Sequence, residues 1–397
     1  MKIALIADAY PPLRSSAAVQ LRDLSVEFVR QGHQITVMVA SPELNQPWLI
    51  EEWQGVQVLR LKTPKTKDID YVRRTIGEFL MPYRMWRNLQ RSPLAQTQWD
   101  GVVWYSPSIF FGPIVRRLKQ KSGCPSYLII RDIFPEWAAD MGLMGKGLPY
   151  RFFKAIANHQ YAQADTVGIQ TPGNGVYFQE WKKAAGHRLE VLQNWLTRAP
   201  ATHCSISVQQ TALAGRRVFV YAGNMGVAQG MGVLIELAER MNDRKDVGFL
   251  FVGRGSDAAK LKSIASERAL DNVVFFDEID PDEIPGLYAQ CHVGLVALDP
   301  RHMTHNIPGK FLSYMHSGLP VLACVNEGND LIEVITREGV GKVVAGPDVE
   351  RLAQEATALL ETLEFDSGIS GRCQSLAEKM FSSEAAVQQI IRALVIQ

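Results

Sequence analysis

The chain opens on an uninterrupted apolar run, residues 3–7, closed by Asp8 and a Tyr10-Pro11-Pro12 turn. A helix is predicted next, with Leu21, Leu24 and Phe28 on one face, and Gly32-His33 ends it before a second apolar run at 35–40. This is a βαβ unit of the doubly wound type, in which ligands meet the carboxyl ends of the strands. Further strands are predicted at 56–61, 101–105 and 127–130. The second half repeats the alternation: strand 218–222, helix 231–241, strand 248–252, helix 258–268, strand 273–276, and so on to a strand at 341–344. Near-continuous apolar strands between helices predict a parallel sheet covered on both faces.

A chain of 397 residues exceeds what one hydrophobic core organises. The expected fold class is therefore α/β, with two Rossmann-like domains, 1–200 and 201–379, facing a central cleft. Residues 196–215, rich in Thr, Ser, Ala and Gln and without a period, read as the linker region. The apolar share of 47% with 21% charged is ordinary for a globular protein, and a net charge of +1 gives the whole molecule no electrostatic reason to seek nucleic acid. Five cysteines, odd in number and never in a CxxC pair, argue against a disulfide framework or a zinc knuckle and fit a reducing compartment. The apolar run after Lys2 is too short for a signal peptide, and no segment offers about 18 uninterrupted apolar residues. The expectation is a cytoplasmic protein.

Three turns are candidates for holding an anion. The first, Gly223-Asn224-Met225-Gly226 with Gln229 and Gly230, follows a strand and precedes a helix, where backbone N–H groups and the helix dipole can hold a diphosphate. The second, Gly253-Arg254-Gly255-Ser256, also follows a buried strand, and Arg254 is placed to pair with a phosphate. The third, His305-Asn306-Ile307-Pro308-Gly309-Lys310, leads into a helix at 311–317, so that dipole and lysine charge act together. Each has a plainer reading as a turn that needs positive φ or starts a helix. In the first half, Arg131-Asp132-Ile133-Phe134-Pro135-Glu136 directly follows a predicted strand, which projects Asp132 from its carboxyl end unless it merely caps a turn or pairs with Arg131.

In order and spacing, the segments 223–230, 252–255, 274–276, 308–310 and 318–321 resemble the donor half of GT-B glycosyltransferases of family 4. They are similar in particular to the bacterial capsule and exopolysaccharide branch that includes fucosamine transferases. The turn at 8–12, Gly32-His33, Ala164-Asp165 and Gln193-Asn194-Trp195 resemble the same family. The sequence departs from the wider family where two glutamates usually stand, at His305 and Ser313, at Gln229 in place of a lysine, and at Ser15-Ser16 in place of a glycine pair.

The resemblance implies a retaining, metal-independent transferase that takes a sugar from a nucleotide sugar, UDP-linked by family frequency, with no cofactor. It implies donor contacts at Gly223, Asn224, Met225, Gly226, Gln229, Arg254, Glu278, Ile279, Ile307, Pro308, Gly309, Lys310 and Ser313. The catalytic set would be Asp132, Lys310 and Glu136, with Tyr10, Arg14, Ser15 and Arg131 on the acceptor side. Domain 1–200 would bind a saccharide or polyprenyl-linked acceptor and domain 201–379 the nucleotide sugar, with a last helix, 380–397, packing back on the first domain. Either a donor phosphate oxygen or Asp132 would receive the acceptor's proton. An epimerase acting on a UDP-sugar and a non-catalytic nucleotide-sugar-binding protein are the alternative readings.

Two motifs point elsewhere. Asp280-Pro281-Asp282 matches an Asp-x-Asp metal motif but reads as an acidic turn opening a helix, and His302-x-x-His305 lacks further ligands. Between residues 60 and 93, nine Lys or Arg stand against three acidic residues, with Tyr71, Phe79, Leu80, Tyr83 and Trp86 interleaved. That stretch is either a solvated helix face or a peripheral contact with the anionic inner membrane surface.

Overall fold

A computed structural model of the chain describes residues 1–13, 15–67, 69–197, 200–201, 203–301 and 307–396. It divides into two compact units, one made of Met1–Trp195 with Ser383–Gln397 and the other of Leu196–Ser382.

The first unit is built on strands β1 (Lys2–Ala7), β2 (Gln34–Ser41), β3 (Trp48–Trp53), β4 (Val56–Lys62), β5 (Gly101–Tyr105), β6 (Ser126–Ile129), β7 (Thr166–Ile169) and β8 (Arg188–Val191). Their order is β3-β4-β2-β1-β5-β6-β7-β8, all parallel except the edge strand β3. Successive side chains alternate between faces. Ala4, Ile6, Trp104 and Leu128 meet Met81, Met85 and Leu89 of the helix Tyr71–Leu89, while Ile3, Leu5, Val103 and Tyr127 meet Leu21, Leu24 and Phe28 of the helix Ser16–Arg30. The last helix, Ser383–Val395, joins this second layer through Val387, Ile390 and Leu394.

The second unit carries β9 (Arg217–Ala222), β10 (Val247–Val252), β11 (Val273–Phe276), β12 (Val293–Ala297), β13 (Val321–Val325) and β14 (Gly341–Ala345), in the order β11-β10-β9-β12-β13-β14. That is the doubly wound arrangement, with the direction of travel reversing between β9 and β12. These two strands pair over only two register positions, Val293 with Phe219 and Gly294 with Val220, so the ladder opens beyond them. The described stretch 203–215, part of the expected linker, is anchored on the second unit by three buried side chains. Ile206, Val208 and Leu213 are buried in the same core as Leu250 and Phe311, and they lacked a period because their backbone is irregular.

Ile390 is fully buried, so Ile390→Ala should destabilise the first unit by roughly 2–4 kcal/mol, whereas Gln388→Ala on the exposed side should change stability by less than about 0.5 kcal/mol. Chemical denaturation of the two variants checks the difference.

Candidate functional site

At the reversal point of the second unit, the helix Gly309–His316 delivers Lys310. Four residues further on the same face, Tyr314 is locked: its hydroxyl lies 3.0 Å from the Val220 carbonyl on β9 and 3.1 Å from that of Leu295 on β12. A Cβ at Gly294 would come within 2.5 Å of the Tyr314 ring, so only glycine admits it there. The tyrosine thus fills the opened ladder and fixes the helix start above it.

Lys310 extends over the Tyr221 ring, with Nζ 4.6 Å from the centroid, and its Cε would lie 3.7 Å from a Cβ at Gly223. It has no carboxylate partner among the described residues. Burial alone pushes its ammonium down to about 8. The backbone N–H groups of Gly309 and Lys310 open the helix without acceptors among the described residues, because Pro308 at the cap offers no side-chain bond. A partly buried cation beside a helix N-terminus, unneutralised among the described residues, favours an anion.

The glycine-rich turns behave differently from the expected cradle of amides at 223–226. The Gly223 amide donates to Val252 O at 2.9 Å, the Met225 amide to Arg254 O at 2.7 Å, and the Gly226 amide to Gln229 Oε1 at 3.0 Å. Two of the four are therefore consumed in stitching the loop after β9 to the end of β10 and its loop, a third is held by Gln229 within the same turn, and Asn224 keeps the remaining one. Gln229 also accepts from Asn224 Nδ2 at 3.1 Å, which makes it a strut of the turn. Gly253 and Gly255 serve the same contact: a Cβ there would stand 2.0 Å from Gly223 O and 2.3 Å from Met225 O. Of the three, Gly223 alone opens its α-carbon toward Lys310.

Around this centre, Ile307 and Pro308 are buried and Ser313 bonds back to the Gly309 carbonyl at 3.3 Å. Arg254 and Glu278, both exposed, pair at 2.8 Å across the ends of β10 and β11, next to Ile279. His302, His305 and Asn306 lie outside the described residues. Asp280 caps the turn Pro281–Glu283 by accepting from the Asp282 amide at 3.1 Å, and no group of three side chains suited to a metal exists among the described residues.

In the first unit, alternation along β1, β5 and β6 carries Asp8, Ser106 and Asp132 beyond the carboxyl ends on the face covered by the helix Tyr71–Leu89. The inner face of that helix runs on from Met85 and Met81 to Glu78 and Arg74, which bond at 2.9 Å. Burial pushes the carboxyls of Asp8, Asp132 and Glu78 up; the Asp8 charge adds to the rise at the other two, while Lys67 and Arg74 oppose it at Asp8 and Arg131 opposes it at Asp132. Asp132 is itself exposed at the surface of its unit, so groups packed beside it, not enclosure, desolvate its carboxyl. The sequence reading did not single out Asp8, Glu78 or Arg74. The signal for Asp8 was present, since it closes the first strand of a doubly wound unit.

The remaining expected residues serve the fold. Tyr10 is buried with its hydroxyl 2.7 Å from Ser25 Oγ, and Ser15 caps the helix Ser16–Arg30 by accepting from the Ala18 amide. Arg131 is buried, donating to the carbonyls of Ile130, Leu192 and Gln193 and stacked 4.6 Å over Trp195, which leaves its guanidinium turned inward. Glu136 is bound to Lys154 and its charge acts on Tyr150, Tyr161 and Tyr177. Arg14 lies outside the described residues.

Residues 216–362 match the model of the family described as glycosyl transferases group 1. The chain is 24% identical over 326 residues, 74% of its length and 76% of the relative's, to the putative colanic acid biosynthesis glycosyl transferase WcaI of Escherichia coli K12. Among solved structures it is similar to sucrose-phosphate synthase from Thermosynechococcus elongatus (TM-score 0.76, 16% identity, covering 98% and 97% of the two chains). It is also similar to Anabaena Alr3699/HepE in complex with UDP and glucose (TM-score 0.70, 15% identity, 100% of both chains). The fold is that of the GT-B glycosyltransferases, and the chain is a glycosyltransferase.

Two outcomes test this geometry. Gly253→Ala should cost more than about 2 kcal/mol in unfolding experiments, because a Cβ cannot coexist with the Gly223 carbonyl. Lys310 should titrate near pH 8 in the free protein but near 10.5 when unfolded. The unfolded state then binds the extra proton between those values, so stability relative to Lys310→Met should rise as pH climbs through that window and stay flat below it.

Proposed function

We propose that this glycosyltransferase moves a hexosyl group, with retention, from a UDP-sugar to a saccharide or lipid-linked saccharide acceptor in the assembly of a cell-surface polysaccharide. On this reading it works in the cytoplasm, needs no metal or cofactor, and falls in family 4 with the fucosamine-transferase-like branch. One observation carries the donor assignment: Lys310, half-buried and unpaired among the described residues, stands at the reversal point of a doubly wound sheet beside the free amides of Gly309 and Lys310. The similarity to a colanic acid biosynthesis enzyme and to a structure holding UDP and glucose favours the same donor and product class.

Charge develops on the departing diphosphate as the bond to the anomeric carbon breaks, and Lys310 with those amides stabilises it there. The acceptor oxygen forms the new bond and gives up its proton either to a donor phosphate oxygen or to Asp132. A carboxyl pushed up by desolvation and by the charge of Asp8 is a better proton acceptor than an ordinary carboxylate. Glu136, Arg131, Tyr10 and Ser15 are left out of this mechanism, since each is committed to packing, capping or a buried ion pair. No observation favours the epimerase or the non-catalytic reading.

Lys310→Ala should weaken UDP binding roughly tenfold or more by calorimetry at pH 7, and Asp132→Asn should lower turnover about 100-fold or more while leaving UDP affinity within about twofold. Incubation with UDP-hexoses should release free UDP only with an acceptor present. Equal UDP affinity in Lys310→Ala, or UDP-sugar isomers as products, would reject the assignment.

A further inference from the structure

The helix Tyr71–Leu89 carries apolar side chains on two sides, one packed on the sheet and one exposed. Met81, Met85 and Leu89 pack inward against the sheet, and Gly77 lies so close to the preceding loop that a Cβ would stand 2.7 Å from the Lys65 carbonyl. The helix is therefore held on its inner side, and its register is fixed. On the other side Tyr71, Val72 and Ile76 are 85%, 69% and 55% exposed, and Phe79, Leu80 and Tyr83 are exposed as well. At about 100° per residue, five of these, Val72 onward, fall in one stripe roughly 100° wide on a rod about 28 Å long. Six large side chains in water on one element need an explanation that scattered exposed apolar residues do not.

The charges beside the stripe identify what covers it. Arg73 and Arg84 stand along its edge and Arg87 continues the stripe beyond Tyr83; all three are exposed, Arg73 pairs with Asp70, and Arg84 and Arg87 have no carboxylate partner among the described residues. The one acidic residue of the helix, Glu78, is turned inward and bound to Arg74. A second copy of the same face would bring arginines against arginines, whereas an anionic lipid surface offers phosphates to the arginines and acyl chains to the aromatic and aliphatic groups. No helix among the described residues is long and apolar enough to cross a membrane, so the contact would lie on the surface of the bilayer.

We infer that the outer face of the helix Tyr71–Leu89 docks this glycosyltransferase on an anionic membrane surface. The docking stands apart from the transfer reaction and is read without donor or acceptor. The full chain is sedimented with vesicles of phosphatidylcholine alone and of phosphatidylcholine with about one third phosphatidylglycerol, the anionic content that the arginines require. It should pellet with the second and stay in solution with the first, and the binding should fall as salt rises. Ile76→Glu with Phe79→Glu should weaken binding at least tenfold, and Arg84→Ser with Arg87→Ser by about fivefold per arginine. All four substitutions are at exposed positions, so an unchanged Tm shows that the fold is intact. Equal sedimentation with neutral and anionic vesicles, or binding insensitive to both double variants, overturns the inference. So does a monomer–dimer equilibrium that Ile76→Glu with Phe79→Glu abolishes while no vesicles are bound.

Discussion

The ammonium group of Lys310 sits where water is scarce and no carboxylate of the described residues answers it, and much of the second unit is arranged to keep it there. Leaving a buried charge unpaired opposes folding. The fold tolerates it because the group keeps some solvent contact and lies over the electron-rich face of Tyr221. Its position depends on Tyr314 bridging two strands that have stopped pairing, and on Gly294 leaving space for that ring. A carboxylate at this point would neutralise the cation and remove its use. Of the exposed acids on the neighbouring loop after β11, Glu278 is paired to Arg254 and Asp277 to Lys262.

The two units apply the same sheet logic to opposite charge. In the second, the strand that begins the winding is followed by a loop that borrows its hydrogen bonds from the next loop, and a lysine arrives from a helix. In the first, the equivalent strand ends on Asp8, and carboxylates gather there with Arg74 and Lys67 nearby. An electrostatic site for a leaving diphosphate and a site able to take a proton make different demands, and one architecture meets both by changing only the residues beyond its strand ends.

Much of the scaffold was legible because long apolar strands alternate with helices of helical period. The expected strands at 101–105, 218–222 and 273–276 match β5, β9 and β11 within a residue at either end. The helix through Lys310 begins two residues earlier than expected, since Gly309 and Lys310 already turn helically after Pro308. The short strands β7 and β8 and the antiparallel edge strand β3 were not read from the chain. Four residues of one ladder carry too little period to separate from a loop, and β3 has polar residues on its solvent side.

By itself the sequence determined the doubly wound character of both halves, the turns where an anion could be met, and the singular chemistry of Pro308-Gly309-Lys310, because these depend on local period and local composition. Tertiary structure alone decided which polar groups remain free. Whether an amide at 223–226 is available depends on a segment some 30 residues away that takes two of them and on the Gln229 side chain that takes a third, and whether Arg131 or Glu136 faces a substrate depends on carbonyls and a lysine contributed by other segments. Hydrogen-bond satisfaction is a property of the whole packed chain, since nearly all buried donors find their partners wherever the fold brings one.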